Sequence, residues 1–396
     1  MTDVVVVGAG IVGAATAWEL ACRGVAVTLV DRGEVSGGTT GLGEGNVLCS
    51  DKDAGPELEL TVLGRALYDE LDALLGDVAR IRRKGALIVH ADEPTWAAEP
   101  ARARRLQAAG VEAELVEGAA AVRALEPNLT GAVLGALHVP GDLQCDPRAI
   151  AQALAAEAQR HGATVRTHTP VRAIAASDAT PPLASRRVTG VVLEDGTTLR
   201  AGTVVLAAGP WSRRLAEGAG LPLPLEPRKG QLVRLRLPVP DERFVRHKVV
   251  DGSYLLSVAG AGAGRELSTV IETTWDGHLV VGSSRERCGF DTTVDAALAA
   301  QLRERAARLV PRVAELEPDD AWVGFRPWLP DHLPAIGPSE TIEGLWVGTG
   351  HEGAGVALGP ITGRVLAQAI TGEAPPLDLT PFRPERFRSP CRDSRS

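Results

Sequence analysis

Four valines, Val4 to Val7, run straight into glycines spaced as Gly8, Gly10 and Gly13, and a helical pattern follows from Ala14 to Arg23. A short β-branched run of this kind reads as a strand buried on both faces. Each glycine has its own task. Gly8 permits the tight strand-to-helix turn, Gly10 lets a pyrophosphate approach the backbone without meeting a Cβ, and Gly13 lets the helix lie close on the sheet. The N–H groups at the helix start, those of Ile11 and Val12 among them, then face the phosphates at the positive end of the helix dipole. A second strand, Val27 to Val30, ends at Asp31-Arg32. That is roughly twenty residues past the glycines, where a carboxylate can accept from ribose hydroxyls. Strand, glycines, helix, strand and acid in this order predict a dinucleotide-binding βαβ unit. A packed βαβ start without a ligand is the plainer alternative.

With 396 residues the chain exceeds one ordinary core, so two domains, interleaved in sequence, are the default. Lysine and arginine number 42 against 50 acids, a net charge of −8 that offers nucleic acid no basic face. The arginines at 383, 386, 388, 392 and 395 read as a solvated tail. The five cysteines are scattered with no C-x-x-C pair, so no zinc or iron–sulfur ligand set is expected and no metal is invoked. Reduced thiols and a first strand beginning at residue 4, which leaves no room for a signal peptide, point to the cytoplasm. No apolar run approaches a transmembrane segment.

Beyond Asp31 the run Gly37-Gly38-Thr39-Thr40-Gly41-Leu42-Gly43-Glu44-Gly45-Asn46 is suited to lying along a long cofactor, with Thr39 and Thr40 able to donate to phosphate oxygens. As a bare segment it reads equally well as a surface loop. Leucines from Leu58 to Leu75 at helical spacing predict a helix over 56–75, and Ala86–His90 a strand with His90 at its surface end. A charged helix near Trp96–Ala109 and short strands at Leu115-Val116, Ala132-Val133 and Ala136–Val139 suggest an inserted domain. Asp146 caps a helix with Pro147 at its first position. Thr164–Arg166 is a strand with Thr169–Val171 as its continuation, 176–187 an exposed turn, and 188–200 a hairpin. Thr203–Leu206 ends in Ala207-Ala208-Gly209-Pro210-Trp211, small residues where a cofactor can cross the sheet edge. Strands follow at 229–235, 251–256, 269–273 and 278–282, and Ala296–Leu309 is an amphipathic helix. The closing stretch carries Gly324-Phe325-Arg326-Pro327-Trp328 and then Gly350-His351-Glu352-Gly353-Ala354-Gly355-Val356 at a helix start.

Taken in order, these blocks resemble the D-amino-acid oxidase-like flavoproteins, among them glycine oxidase, sarcosine oxidase and amino-acid dehydrogenase subunits, over nearly the whole chain. The resemblance implies an α/β fold. A Rossmann-type FAD-binding domain (1–80, 145–221, 321–380) would be interleaved with an α+β substrate domain (81–144, 222–320) containing a mostly antiparallel sheet, and 381–396 would be a tail. It implies FAD rather than NAD, held non-covalently, since no cysteine lies between Gly324 and Gly337 where flavinylated relatives carry one. Gly8, Gly10, Ile11, Val12 and Gly13 would serve the pyrophosphate, and Asp31 and Arg32 the adenosine ribose. Gly38, Thr39, Thr40, Gly45 and Asn46 would run along the phosphates toward the ring, Val171 would meet adenine, and Ala208, Gly209 and Trp211 the cofactor's middle. His351, Gly353, Ala354, Gly355 and Val356 would face the flavin pyrimidine, where a helix start stabilises the reduced anion.

Arg326 matches the arginine that clamps the substrate carboxylate in glycine oxidase-like members, and Tyr254 a pocket tyrosine; Asn46, Trp328 and His351 would complete the substrate pocket. A structural ion pair for Arg326 and a plain strand aromatic for Tyr254 are the competing readings. Glycine oxidase has an arginine two positions after the histidine matching His351, whereas this chain has Gly353. That departure implies a roomier, less cationic pocket suited to a bulkier or secondary amine, of D-amino acid, D-proline/hydroxyproline or opine type. The reaction implied is hydride transfer from the C–N carbon to flavin N5, giving an imino acid, with oxygen or an electron carrier as the final acceptor. A flavin subunit that needs a partner subunit, and oxidation of a 2-hydroxy acid on the same scaffold, stand as alternatives.

Overall fold

A computed structural model describes residues 2–177, 186–241, 243–253 and 264–387. The opening valines form the strand Val4–Val7 at the centre of a six-stranded sheet. In sheet order its strands are Ala335–Pro338, Leu345–Thr349, Thr203–Leu206, Val4–Val7, Val27–Val30 and Thr164–Arg166. All pair in parallel except the edge strand Ala335–Pro338. The chain leaves Val4–Val7 toward Val27–Val30 on one side and returns much later to Thr203–Leu206 on the other. The carboxyl end of the first strand is therefore a topological switch point, where open parallel sheets bind ligands. Val4 to Val7 are all buried, as a strand covered on both faces requires.

A second sheet has eight strands, in the order Glu317–Trp328, Glu226–Arg236, Leu279–Arg285, Glu266–Thr273, Lys248–Asp251, Ala86–His90, Gly135–Val139 and Glu114–Glu117. It is antiparallel but for the pair Lys248–Asp251 with Ala86–His90. Successive side chains alternate between its faces. Val233, Leu235, Val249, Ile271 and Val281 pack with Leu298, Leu302 and Ala306 of the helix Ala296–Leu309. Their neighbours Leu232, Lys248, Val250 and Val270 look the other way, into a large cavity. The strand Glu317–Trp328 runs through the boundary expected at 320/321, because eleven of its residues pair with Glu226–Arg236.

Several local expectations are corrected. His90 is buried, not a surface strand end: its ring lies 3.3 Å from Glu99 and against Trp96, on the strand's inner side. Thr169–Val171 does not continue Thr164–Arg166. His168, at φ 49°, turns the chain out of the sheet, and Val171–Ala176 joins a small sheet with Arg186–Leu193 instead. Ala132-Val133 is not a strand, and the strand expected at 251–256 ends at Asp251 as far as the described residues go. Most of the expected turn at 176–187, and Tyr254, lie outside the described residues. Residues 381–387 are not a solvated tail: Phe382 is fully buried, Glu385 bonds Ser339, and Arg386 pairs with Asp331 at 2.7 Å. Among the described residues no helix is long and apolar enough to cross a membrane.

Candidate active site

The cavity between the two sheets has a volume of about 1330 Å³. That exceeds the roughly 300–1,000 Å³ of a typical small-molecule pocket, and suits a dinucleotide with a substrate beside it. At one end is the opening glycine turn. Gly8 has φ 106° and a Cβ there would lie 2.5 Å from Ala207 O; a Cβ on Gly13 would lie 1.8 Å from Gly8 O. Both glycines are thus fixed by backbone contact, Gly13 in packing and not at the cavity wall. Gly10 caps the helix Ile11–Cys22 without a side-chain cap bond, and Thr40 Oγ1 accepts from Ile11 N–H at 3.1 Å. The carboxylate of Asp31 is held by two amides, Ala9 N–H at 2.7 Å and Gly33 N–H at 2.8 Å, one to each oxygen. Each oxygen keeps a second lone pair for a ribose hydroxyl.

The next wall is aromatic. The Arg32 guanidinium sits 4.0 Å above the Trp211 ring, and Phe290 stacks on Trp211 with centroids 5.2 Å apart. Gly38 passes under that indole: a Cβ there would lie 3.3 Å from it. Val171, Ala208 and Gly209 line the same stretch. Thr39 is committed elsewhere, its hydroxyl donating to Phe325 O at 2.6 Å and so tying the loop to the large sheet. Thr40 is then the threonine whose hydroxyl hydrogen can reach a phosphate.

At the far end Thr349 and Gly350 turn into the helix Gly355–Thr371. Gly353, Ala354, Gly355 and Val356 line the cavity, and Tyr68 braces the turn by donating to Val356 O at 2.6 Å. The His351 imidazole is turned inward onto Thr362 Oγ1 at 2.9 Å, and burial lowers its pKa to about 3. It is therefore a neutral strut of the turn. Glu352 is the charged member. Burial alone would raise its pKa, but the His332 hydrogen bond and the Arg228 and Arg285 charges hold it at about 2. Its carboxylate meets Arg228 at 2.5 Å.

Arg326 reaches the cavity from the large sheet and donates to Ser284 O at 3.0 Å. It lies across Gly230, where a Cβ would come within 2.0 Å of its Nη1. Gly353 is beside it: a Cβ there would be 3.9 Å from Arg326 Nε. The missing side chain at 353 thus leaves open space next to the guanidinium. Asn46 lines the cavity, but Trp328 does not: at the end of its strand it packs under Arg287, 3.9 Å away, and edge-on to His332. Sequence reasoning missed Gly230, Phe290 and the pair Glu44–Lys248, bonded at 2.7 Å inside the cavity. Glu44 stood in the unusual Gly-Glu-Gly-Asn run. Gly230 and Lys248 carried no signal, since their roles come from strand register.

These residues fit FAD. A helix start whose Ile11 N–H is held by Thr40 while its N-cap Gly10 offers no side chain, a twice-held carboxylate about a strand away, a long aromatic-walled cleft and a second helix start at its far end suit a long anionic dinucleotide.

Residues 3–369 match the family of FAD dependent oxidoreductases designated DAO. The chain is 32% identical over 391 residues to a glycine oxidase of Pseudomonas aeruginosa, covering 96% of this chain and 98% of that protein. Its fold superposes on the crystal structure of glycine oxidase from Geobacillus kaustophilus with a TM-score of 0.85 at 28% identity, covering 98% and 99% of the two chains. It superposes on an iminodiacetate oxidase from Chelativorans with a TM-score of 0.81 at 26% identity, covering 96% and 99%. The cleft at the switch point, read with the match over 3–369, makes this chain a member of the DAO family of FAD-dependent oxidoreductases.

Proposed function

We propose that the protein oxidises the C–N bond of an amino acid larger than glycine or of an N-substituted amino acid, with its carboxylate held by Arg326. The observation that carries this is Arg326 beside the bare Gly353: a guanidinium fork suits a carboxylate, and the space next to it suits a bulky Cα or nitrogen substituent. The names glycine oxidase and iminodiacetate oxidase on similar proteins support an amine flanked by carboxylate. Bound FAD supplies the acceptor for the hydride lost from Cα, and the amine N–H leaves as a proton, so that an imino acid forms. The chain's own part is positioning. Arg326, propped by Ser284 O and bedded on Gly230, fixes the carboxylate, while Leu232, Val250 and Val270 present an apolar floor that excludes water. With the amine entering neutral, the reaction needs no acid–base dyad. FAD is held by shape and hydrogen bonds without a covalent link. Residues 1–80, 145–221 and the segment after 328 hold the cofactor, and the eight-stranded sheet holds the substrate.

Arg326→Ala is expected to raise KM for carboxylate substrates by about two orders of magnitude, the loss of a charge-assisted pair. The check is anaerobic flavin bleaching over a panel of D- and L-amino acids, N-substituted amino acids and 2-hydroxy acids. Bleaching by hydroxy acids alone, or kinetics unaltered by Arg326→Ala, would sink the reading.

A further inference from the structure

The cavity floor ends, away from Arg326, in a buried polar cluster that the reading above does not use. Lys248 Nζ donates to Glu44 Oε2 at 2.7 Å and to Glu272 Oε1 at 3.3 Å. Asn46 Nδ2 donates to the same Glu44 Oε2 at 2.7 Å. With two donors on Oε2, the other oxygen of that carboxylate is what the cluster presents. Glu44 Oε1 and Asn46 Oδ1 are both buried and have no hydrogen-bond partner among the described residues. The amide has no choice of orientation, because its NH2 must face the carboxylate, which leaves Oδ1 as the unmet acceptor. Buried acceptors left unmet are costly, and native structures keep few without a use.

The place of these acceptors is set by the sheet. A Cβ at Gly282 would lie 3.5 Å from Glu44 Oε1, while Arg326 Nη1 bonds the carbonyl of Ser284. Gly230, which underlies the guanidinium, and Leu232, which pairs with Gly282, are two apart on the neighbouring strand, hence about 7 Å apart along it. Between guanidinium and acceptors the floor is apolar, with Leu232 and Val270. Clamp and acceptor pair thus stand at two ends of one slot. The charges around the acceptors are mixed: Glu44 and Glu272 are matched by Lys248, with Lys84 close to Glu272. The cluster is therefore poised to take a hydrogen-bond donor rather than to repel one sign of charge.

We propose that Glu44 and Asn46 form a second recognition point for the substrate, accepting an N–H or O–H on the group beyond Cα while Arg326 holds the carboxylate. The proposal rests on the carboxylate-clamp reading of Arg326. Lys248 is a positioning residue that turns Oε2 away and leaves Oε1 for the ligand.

The test uses the FAD-loaded protein and acids that cannot be oxidised at Cα: pentanoate, 5-hydroxypentanoate and 5-aminopentanoate, titrated calorimetrically. One or both donor-tipped acids are expected to bind about ten- to a hundredfold tighter than pentanoate. The hydroxyl and ammonium arms tell which donor the pair prefers. Glu44→Gln should invert the preference. Lys248 and Asn46 still need an acceptor at the Oε2 place, so the amide oxygen goes there and the NH2 goes into the cavity. The donor advantage should vanish, and pentanedioate should gain on pentanoate. Equal binding of the three acids by the wild type, or a donor advantage that survives Glu44→Gln, overturns the proposal while leaving the clamp intact. Failure of every acid to bind the FAD-loaded wild type overturns the clamp and this inference together. Should Glu44→Gln lose FAD, the wild-type series decides alone.

Discussion

His351 shows how a titratable residue can line a cleft without carrying charge. Its imidazole is packed onto Thr362 and neutral, with a pKa lowered to about 3 by burial against about 6.5 in an unfolded chain. The folded state therefore binds fewer protons than the unfolded one between those values. The stability His351 contributes is complete above pH 6.5 and drains away as pH falls toward 3, by a few kcal/mol at most. Thermal midpoints measured from pH 7 to pH 4 are expected to fall less steeply for His351→Gln than for the wild type; parallel curves would show the imidazole titrating freely. Gly230 makes the complementary point, since its whole role is to lack a side chain under Arg326. Gly230→Ala is expected to push the guanidinium aside and raise KM about tenfold or more with FAD still bound, checked by steady-state kinetics beside the flavin spectrum. Arg326 drew notice in the sequence because it sits in a motif. Gly230 was not, because one glycine in a strand looks like any other until the facing strand brings an arginine across it.

At the scale of elements, the helices were read best where periodicity and caps coincided. Asp146 with Pro147 starts the helix Pro147–Arg160 as expected, its carboxylate accepting from Arg148 N–H and Ala149 N–H. The buried leucines of Pro56–Leu75 likewise follow the helical spacing. Strand joints were read worst. His168 breaks one apparent strand into two through a left-handed residue, a conformation that no composition signal announces. The first and last helices cross at glycines: a Cβ on Gly363 would lie 2.6 Å from the Ala15 carbonyl carbon, and one on Gly359 would meet Ile11 at 2.7 Å. This contact links the helix after the opening glycine turn to the helix at the far end of the cleft. Gly363→Ala is expected to cost about 1–3 kcal/mol through backbone that cannot yield. A lowered thermal midpoint together with weaker FAD retention is the outcome to look for; an unchanged midpoint would show that the helices can part at no cost.

For the whole molecule, loops from both large sheets wall the cavity. Phe290 stacks on Trp211, Trp322 Nε1 donates to Leu42 O at 3.0 Å, and Thr39 bonds Phe325 O. A ligand that fills this seam stabilises both sides at once. Free FAD at a hundred times its Kd should add about 2.7 kcal/mol, so the midpoint of the apoprotein should climb with FAD concentration. Asp31→Ala should shift that titration to higher FAD, and a midpoint indifferent to FAD would contradict the cleft assignment. The interleaving was legible from the order of motifs. Its exact seams were not, because the strand Glu317–Trp328 looks in sequence like the start of the returning segment and is fixed in the large sheet by pairing with Glu226–Arg236.

The brace from Tyr68 to Val356, and the glycine crossing beside it, also bear on when the protein becomes an enzyme. The opening glycine turn is made before the turn across the cleft from it, which follows more than three hundred residues later. Chains are made from the N-terminus and fold in that order. A nascent chain that has only its opening βαβ unit offers FAD one anchor and no far wall. Cofactor capture thus waits for the far turn, and a chain cut short before Gly350 should leave the ribosome colourless however well its first strands have paired.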